Sequence, residues 1–147
     1  MKKRDLYDNI AAVQLLKPQD LAHTTTASAI LDTAQMAGAE VQVSIAALTG
    51  VDGSNYVTPV LQESDTTTGA DFTAVSAGDI IGGFSKVDST AKDECIQRAG
   101  YTGGKRYIRV NLVYTGTAIT AGVIGVTGVL AYPQYAPVVS PAPITAG

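Results

Sequence analysis

The clearest pattern along the chain is a strict alternation of apolar side chains with polar or small ones. Between residues 40 and 48, Val41, Val43 and Ile45 alternate with polar or small neighbours. Residues 105–114 repeat the pattern, with four large side chains on one face: Ile108, Val110, Leu112 and Tyr114. Because successive side chains of a strand point to opposite faces, both segments are predicted strands with one buried face.

Shorter apolar segments, separated by turns that contain glycine or proline, predict further strands. They lie at residues 24–36, 56–64, 72–75, 79–84 and 123–132. Pro59 cannot donate a ladder hydrogen bond, so its strand is expected at a sheet edge or with a bulge. Gly125 and Gly128 predict bulges or the close approach of another backbone. The last strand follows residues 105–114 after a short connection, so the two are predicted to form an antiparallel hairpin.

Residues 85–100 contain the one plausible helix, because several good helix formers precede Gly100. A loop followed by a strand fits the same residues. About seven to nine short strands with at most one helix indicate an all-β fold. The predicted fold class is a jelly-roll-like antiparallel β-sandwich with extended N- and C-terminal arms.

The 147 residues are expected to form one domain flanked by two arms. Residues 1–20 are predicted to be an N-terminal arm that ends in a first strand or a single helical turn. Residues 21–132 are the predicted β-sandwich, and residues 133–147 are a proline-rich C-terminal arm. Proline at this density favours extended geometry. A disordered tail fits as well, but the apolar residues between the prolines favour an arm that lies over a neighbouring subunit.

Charged residues make up only 16% of the chain, against about 25% in typical globular domains. This thin charge favours a surface that neighbours cover in an assembly. A secreted β-domain with a threonine-rich surface is the alternative. The net charge of −3 argues against direct binding to nucleic acid. No signal peptide and no 18-residue apolar stretch is found in the sequence, so no membrane partner is expected.

Few residues could support catalysis or metal binding. His23 and Cys95 are the single histidine and the single cysteine, which excludes an internal disulfide and the usual Cys/His zinc site. The sequence contains no Gly-x-Ser-x-Gly elbow whose serine His23 could activate. The two acidic residues before Cys95 disfavour its thiolate, so Cys95 is expected to be a poor nucleophile. The acidic loop at residues 63–71 lacks the EF-hand spacing, so a solvated loop is favoured over a calcium site. We therefore predict a protein that is not an enzyme and has no catalytic residues, cofactor or metal.

Several segments carry a resemblance to a known family. They are Leu-Gln-Glu-Ser-Asp at residues 61–65, Phe-Thr-Ala-Val at 72–75, Gly100-Tyr101, and Gly-Lys-Arg-Tyr-Ile-Arg-Val at 104–110. In this order, over residues 25–132, they resemble the jelly-roll head decoration or cement proteins of tailed bacteriophages. The resemblance implies a structural protein on the capsid surface of the virion. It would bind the major capsid protein and copies of itself, as a dimer or trimer.

Two alternatives stay open at this point. One is a tail or head-tail joining protein of the same virion. The other is a carbohydrate-binding β-sandwich, which seven tyrosines and the acidic loop suggest. For the decoration protein, the residues expected to contact partners lie in the two arms: Lys3, Arg4, Tyr7, Pro133, Tyr135, Pro137, Val138, Val139 and Pro141.

Overall fold

The computed structural model of the chain describes residues 6–34, 36–133 and 142–145. Strands dominate these residues, and the helical segments among them are two single 3-10 turns, Gly69–Asp71 and Ala77–Asp79. Neither turn is long or apolar enough to cross a membrane. The strands are β1 (Ile10–Asp20), β2 (Thr26–Ala27), β3 (Leu31–Asp32), β4 (Met36–Ile45), β5 (Tyr56–Ser64), β6 (Thr73–Ala74), β7 (Ile80–Gly82), β8 (Cys95–Tyr101), β9 (Tyr107–Thr115) and β10 (Val123–Pro133).

The strands form two antiparallel sheets. In sheet A the order is β1-β10-β4-β8-β7, and in sheet B it is β2-β9-β5-β6, with β3 also paired to β9. The pairs nest in sequence: β1 with β10, β2 and β3 with β9, β4 with β8, and β5 with β6. This is one long antiparallel hairpin rolled into two sheets, which is the jelly-roll topology. The predicted jelly-roll-like antiparallel β-sandwich is confirmed.

The core lies between the sheets and follows the predicted alternation. All three apolar residues of the β4 pattern are buried, as are Ile108, Val110 and Leu112 of β9. Tyr114, on the same face of β9, is half-buried. Its hydroxyl has no hydrogen-bond partner among the described residues, and burial raises its pKa to about 12. The alternation therefore identified the buried faces of both strands correctly.

The first strand differs from the predicted N-terminal arm, because Ile10–Asp20 is an integral strand of the sandwich. Ala11, Val13 and Leu15 are buried in the core, and β1 pairs with β10 along its length. Its alternation is hard to recognise in the sequence because alanine stands on both faces and Leu16 extends the apolar run. The sandwich thus begins at residue 10 and not at residue 21.

The predicted hairpin between the last two strands is wrong. β9 lies in sheet B between β2 and β5, whereas β10 lies in sheet A between β1 and β4. The connection at residues 116–122 therefore crosses from one sheet to the other. Periodicity shows which face of a strand is buried but not which strand pairs with it, so a short connection fits a hairpin and a crossover equally well.

Residues 85–100 form a loop followed by a strand, which was the alternative to the helix. β8 pairs with β4 from Tyr101 opposite Ala39 to Cys95 opposite Ile45. Ala99 and Tyr101 are buried, and the residues between and before them are more exposed. Hydrogen bonding to β4 and the burial of these two side chains override the weak helix propensity of the segment.

Proline and glycine occupy the positions that their chemistry predicts. Val57 exchanges backbone hydrogen bonds with Val87 on the side of β5 that faces away from β9. The nitrogen of Pro59 faces that same side of β5. Among the described residues no strand pairs with β5 at Pro59 on that side, so β5 is locally an edge strand.

A Cβ on Gly128 would lie 2.7 Å from Leu31 Cδ2, and one on Gly125 would lie 3.1 Å from Pro18. Both glycines therefore allow the close approach of neighbours, here by side-chain atoms.

Candidate interaction surface

The outward-pointing residues of the five strands of sheet A form one continuous surface, which we call the sheet A face. The strand register aligns its residues in rows that run across the sheet. One row consists of Ala12, Val129, Glu40, Gly100 and Ile81, and the next of Gln14, Thr127, Gln42 and Arg98. Only Glu40 and Arg98 among these residues are charged, so the surface carries little net charge.

Several large apolar side chains project from the sheet A face into solvent, and three of them are mostly exposed. Ile81 in β7 is 68% exposed, Ile96 in β8 is 65% exposed and Tyr132 at the end of β10 is 75% exposed. Isolated exposed apolar residues are common on protein surfaces, but several on one face of a single sheet are typical of a contact surface.

Tyr132 lies on this face because its backbone departs from the strand geometry. Leu130 points into the core and Ala131 points outward, so regular alternation would turn Tyr132 inward. Its φ of 57° is in the left-handed region instead, which costs a non-glycine residue roughly 1–2 kcal/mol. The ring lies over Gly38 of β4, where a Cβ would be 2.9 Å from the ring atom Cδ2. The absence of a side chain at Gly38 leaves room for the ring.

A shallow groove of about 560 Å³ lies between Ile81 and Tyr132. Its lining includes Gly38, Gly82 and Gly100, which carry no side chains that would fill the groove. The charged residues of the lining are Glu40 and Arg98, whose Oε2 and Nη1 atoms are 3.8 Å apart. Both side chains are partly exposed, so this ion pair contributes little to stability. The groove therefore combines apolar walls with one group of each charge.

The acidic loop suggested as a calcium or carbohydrate site uses its polar groups for contacts within the chain. The Tyr101 hydroxyl donates to Glu63 Oε2 at 2.5 Å and accepts from the Lys105 backbone N–H at 2.8 Å. Lys105 forms an ion pair with Asp65, and the Thr66 hydroxyl donates to Asp71 at 2.5 Å. Among the described residues, no group of three or more histidine, cysteine, aspartate or glutamate side chains could hold a metal ion. Tyr101 is buried, so its ring is not available to stack on a sugar.

We expect Tyr101→Phe to destabilise the protein by about 1–3 kcal/mol, because Glu63 loses its donor and the Lys105 N–H loses its acceptor. Burial, together with the Glu63 carboxylate, raises the pKa of Tyr101 above its usual value of 10. The stabilisation is therefore complete below pH 10 and is lost as the pH rises above 10. Urea unfolding at pH 7 and pH 10.5 measures both effects. Tyr107→Phe is the control, because the Tyr107 hydroxyl forms no hydrogen bond with the residues that the structure describes, and an equal loss in both variants would contradict this assignment.

His23 and Cys95 occupy positions unlike those of a catalytic pair. His23 lies exposed in the loop after β1, with Nδ1 3.4 Å from the carbonyl oxygen of Ile119. Cys95 is half-buried at the start of β8, and its thiol donates to the Lys92 carbonyl oxygen at 3.3 Å. Each lies against a backbone carbonyl oxygen: that of Ile119, in the connection between β9 and β10, for His23, and that of Lys92, in the loop before β8, for Cys95.

Of the arm residues predicted to contact partners, the structure describes Tyr7 and Pro133. Tyr7 is 89% exposed in a turn before β1, and Pro133 is the last residue of β10, next to Tyr132. Near the C-terminus, Ile144 pairs with Ile30 of the same chain through hydrogen bonds of 2.7 and 3.1 Å. The other predicted contact residues lie outside the described residues: Lys3, Arg4, Tyr135, Pro137, Val138, Val139 and Pro141.

The sheet A face was missed in the sequence, although one signal pointed to it. Ile80 and Ile81 are adjacent in a strand, so one of them has to face outward. The helix interpretation of residues 85–100 concealed Ile96 and Arg98, whose outward direction follows only from the pairing of β8 with β4. The position of Tyr132 depends on a left-handed backbone, which the sequence gives no reason to expect.

Comparisons with known proteins identify no family for the chain. No protein-family model matches it, and no curated protein matches it. It is similar to a solved structure described as "Bacillus endospore appendages form a novel family of disulfide-linked pili", with 16% sequence identity and a TM-score of 0.42. The match covers 91% of this chain and 100% of that chain. A likeness at this level supports no inference about function.

Proposed function

We propose that this chain is a structural protein of a virion, and not an enzyme. In this proposal it is a capsid decoration protein that binds major capsid protein subunits and copies of itself at the capsid surface. The observation that supports it best is the sheet A face, where Ile81, Ile96 and Tyr132 project from a surface with little charge. Such a surface is costly to leave in water and is stabilised when a partner covers it.

The architecture suits binding to a repetitive surface. A jelly roll presents two flat faces on a rigid scaffold, and virus capsid proteins commonly use this fold. β1 and β7 are the edge strands of sheet A, and an edge strand can be extended by a strand from a neighbour. When many copies bind one shell and contact one another, modest individual contacts add to a tight attachment.

The proposal predicts that the purified chain binds expanded capsid shells of its own virion, which sedimentation of shells with bound protein measures. Ile96→Glu should weaken binding about tenfold or more, because it places a charge in a contact between copies, and copies that contact one another attach more tightly to the shell. Ala74→Glu adds the same charge at an exposed position of sheet B and is the matched control. A wild-type chain with no affinity for shells, or one that Ile96→Glu and Ala74→Glu affect equally, would overturn the proposal.

A further inference from the structure

We propose that the sheet A face binds the same face of a second copy of this chain, with a two-fold axis between the copies. Glu40 of each copy then meets Arg98 of the other, and the exposed Ile81 and Tyr132 side chains of each enter the groove of the other. This inference rests on the self-association in the proposed function, but it does not depend on the capsid as the second partner.

The area of the face suits a stable dimer. Five strands about 4.8 Å apart, with about 3.3 Å per residue along strands of up to eleven residues, cover roughly 800 Å². The shorter β7 and β8, with 3 and 7 residues, reduce this to about 670 Å². A standard protein interface buries about 800 Å² on each partner, and a biological interface buries at least about 1,000 Å² in total. Two sheet A faces in contact therefore reach the required size.

The shape of the face is complementary to itself. It carries projecting side chains, Ile81 and Tyr132, and a concave groove between them whose lining glycines add no side chains to fill it. A two-fold interface brings one surface patch against its own copy, so a patch must carry both projections and recesses to pack closely. Burying two largely exposed apolar side chains on each copy supplies the central contact on which most interfaces depend.

The charges of the groove are complementary in the same sense. Glu40 and Arg98 line it 3.8 Å apart, with the arginine 66% and the glutamate 31% exposed. In a two-fold pair, each acid of one copy can lie against the base of the other, twice per dimer. A groove of a single charge would instead repel its own copy, so the pair of opposite charges favours a second copy as the occupant.

The first test is the mass of the full chain in solution, measured by sedimentation equilibrium at micromolar concentration. The wild type should be a dimer. Ile81→Glu should raise the dissociation constant at least about 30-fold, as expected for a central contact residue. Ala74→Glu on sheet B should leave the mass unchanged. A monomeric or trimeric wild type, or a dimer that Ile81→Glu does not weaken, would overturn the inference.

A charge exchange tests the two-fold geometry directly. Glu40→Arg brings two pairs of arginines together in its homodimer, and Arg98→Glu brings two pairs of glutamates together, so each variant alone should be monomeric. An equal mixture should form a heterodimer, because both contacts then join opposite charges. Native mass spectrometry resolves the three possible pairs by mass. Homodimers of both variants, or no heterodimer in the mixture, would contradict the geometry.

Two further measurements distinguish loss of the dimer from loss of folding and from loss of shell binding. Because the Glu40–Arg98 pair is exposed, neither exchange should lower the thermal stability appreciably, and thermal unfolding checks this. Binding to shells is measured independently of dimer formation. Shell binding without a sheet A dimer would overturn this inference alone, whereas a sheet A dimer without shell binding would overturn the proposed capsid function alone.

Discussion

Ile124→Ala should lower the free energy of unfolding by about 2–5 kcal/mol, whereas Ile96→Ala should change it by less than about 0.5 kcal/mol. Both isoleucines belong to sheet A, but they point to opposite faces. Ile124 is fully buried between the sheets, so its truncation leaves a cavity in the core. Ile96 is mostly exposed, and its truncation removes little contact within the chain.

Both variants replace isoleucine by alanine in the same sheet, so they differ mainly in the face of the sheet to which the side chain points. Urea unfolding followed by circular dichroism gives both free energies. Equal losses in the two variants would mean that Ile96 contributes to a core within the chain, and the sheet A face would then be assigned incorrectly. A loss in Ile96→Ala that appears only at high protein concentration would instead be the signature of the dimer.

Gly50→Ala is the second variant with a large expected effect, a loss of roughly 2–4 kcal/mol. Gly50 has a φ of +85°, and a Cβ there would lie 1.9 Å from the backbone oxygen of Ala118. That backbone cannot move freely, because the Ala118 N–H donates to the Asn55 side chain at 3.0 Å and Thr49 pairs with Ala121 nearby. The substitution therefore strains the contact between two loops.

Gly53→Ala in the same loop is the matched control. A Cβ on Gly53 meets no atom within 4 Å, so this variant should be as stable as the wild type. Thermal unfolding of both variants measures the difference. If Gly50→Ala and Gly53→Ala unfold at the same temperature, the loop at residues 46–55 does not pack against the connection between β9 and β10 as described.

The sequence predicted those features of the fold that depend on one strand at a time. In β4 and β9 each core residue is followed by an outward one, so local alternation alone identifies the buried face. β1 obeys the same rule, but its alanines obscured it. The partner of β10 depended on how the whole chain rolls up, because β1 and β4 are distant in sequence. No local pattern records such a pairing, which explains the incorrect hairpin.

The candidate surface was harder to predict than the fold. Glu40 and Arg98 lie far apart in the chain and come together only because β8 pairs with β4. Tyr132 joins them only through its left-handed backbone and the missing side chain of Gly38. The sequence directed attention to the arms, and of their predicted contact residues only Tyr7 and Pro133 lie in the described part of the chain. Their proposed role in contacting a capsid remains a prediction, separate from that of the sheet A face.

The number of copies bound to each expanded capsid shell at saturation tests the central claim most directly. Quantitative sedimentation of shells with the purified full chain provides this number. A decoration protein occupies repeated sites over the whole shell, so we predict on the order of hundreds of copies per shell. A count of about a dozen or fewer, as a ring at the head-tail joint would give, or no binding at all, would contradict the account.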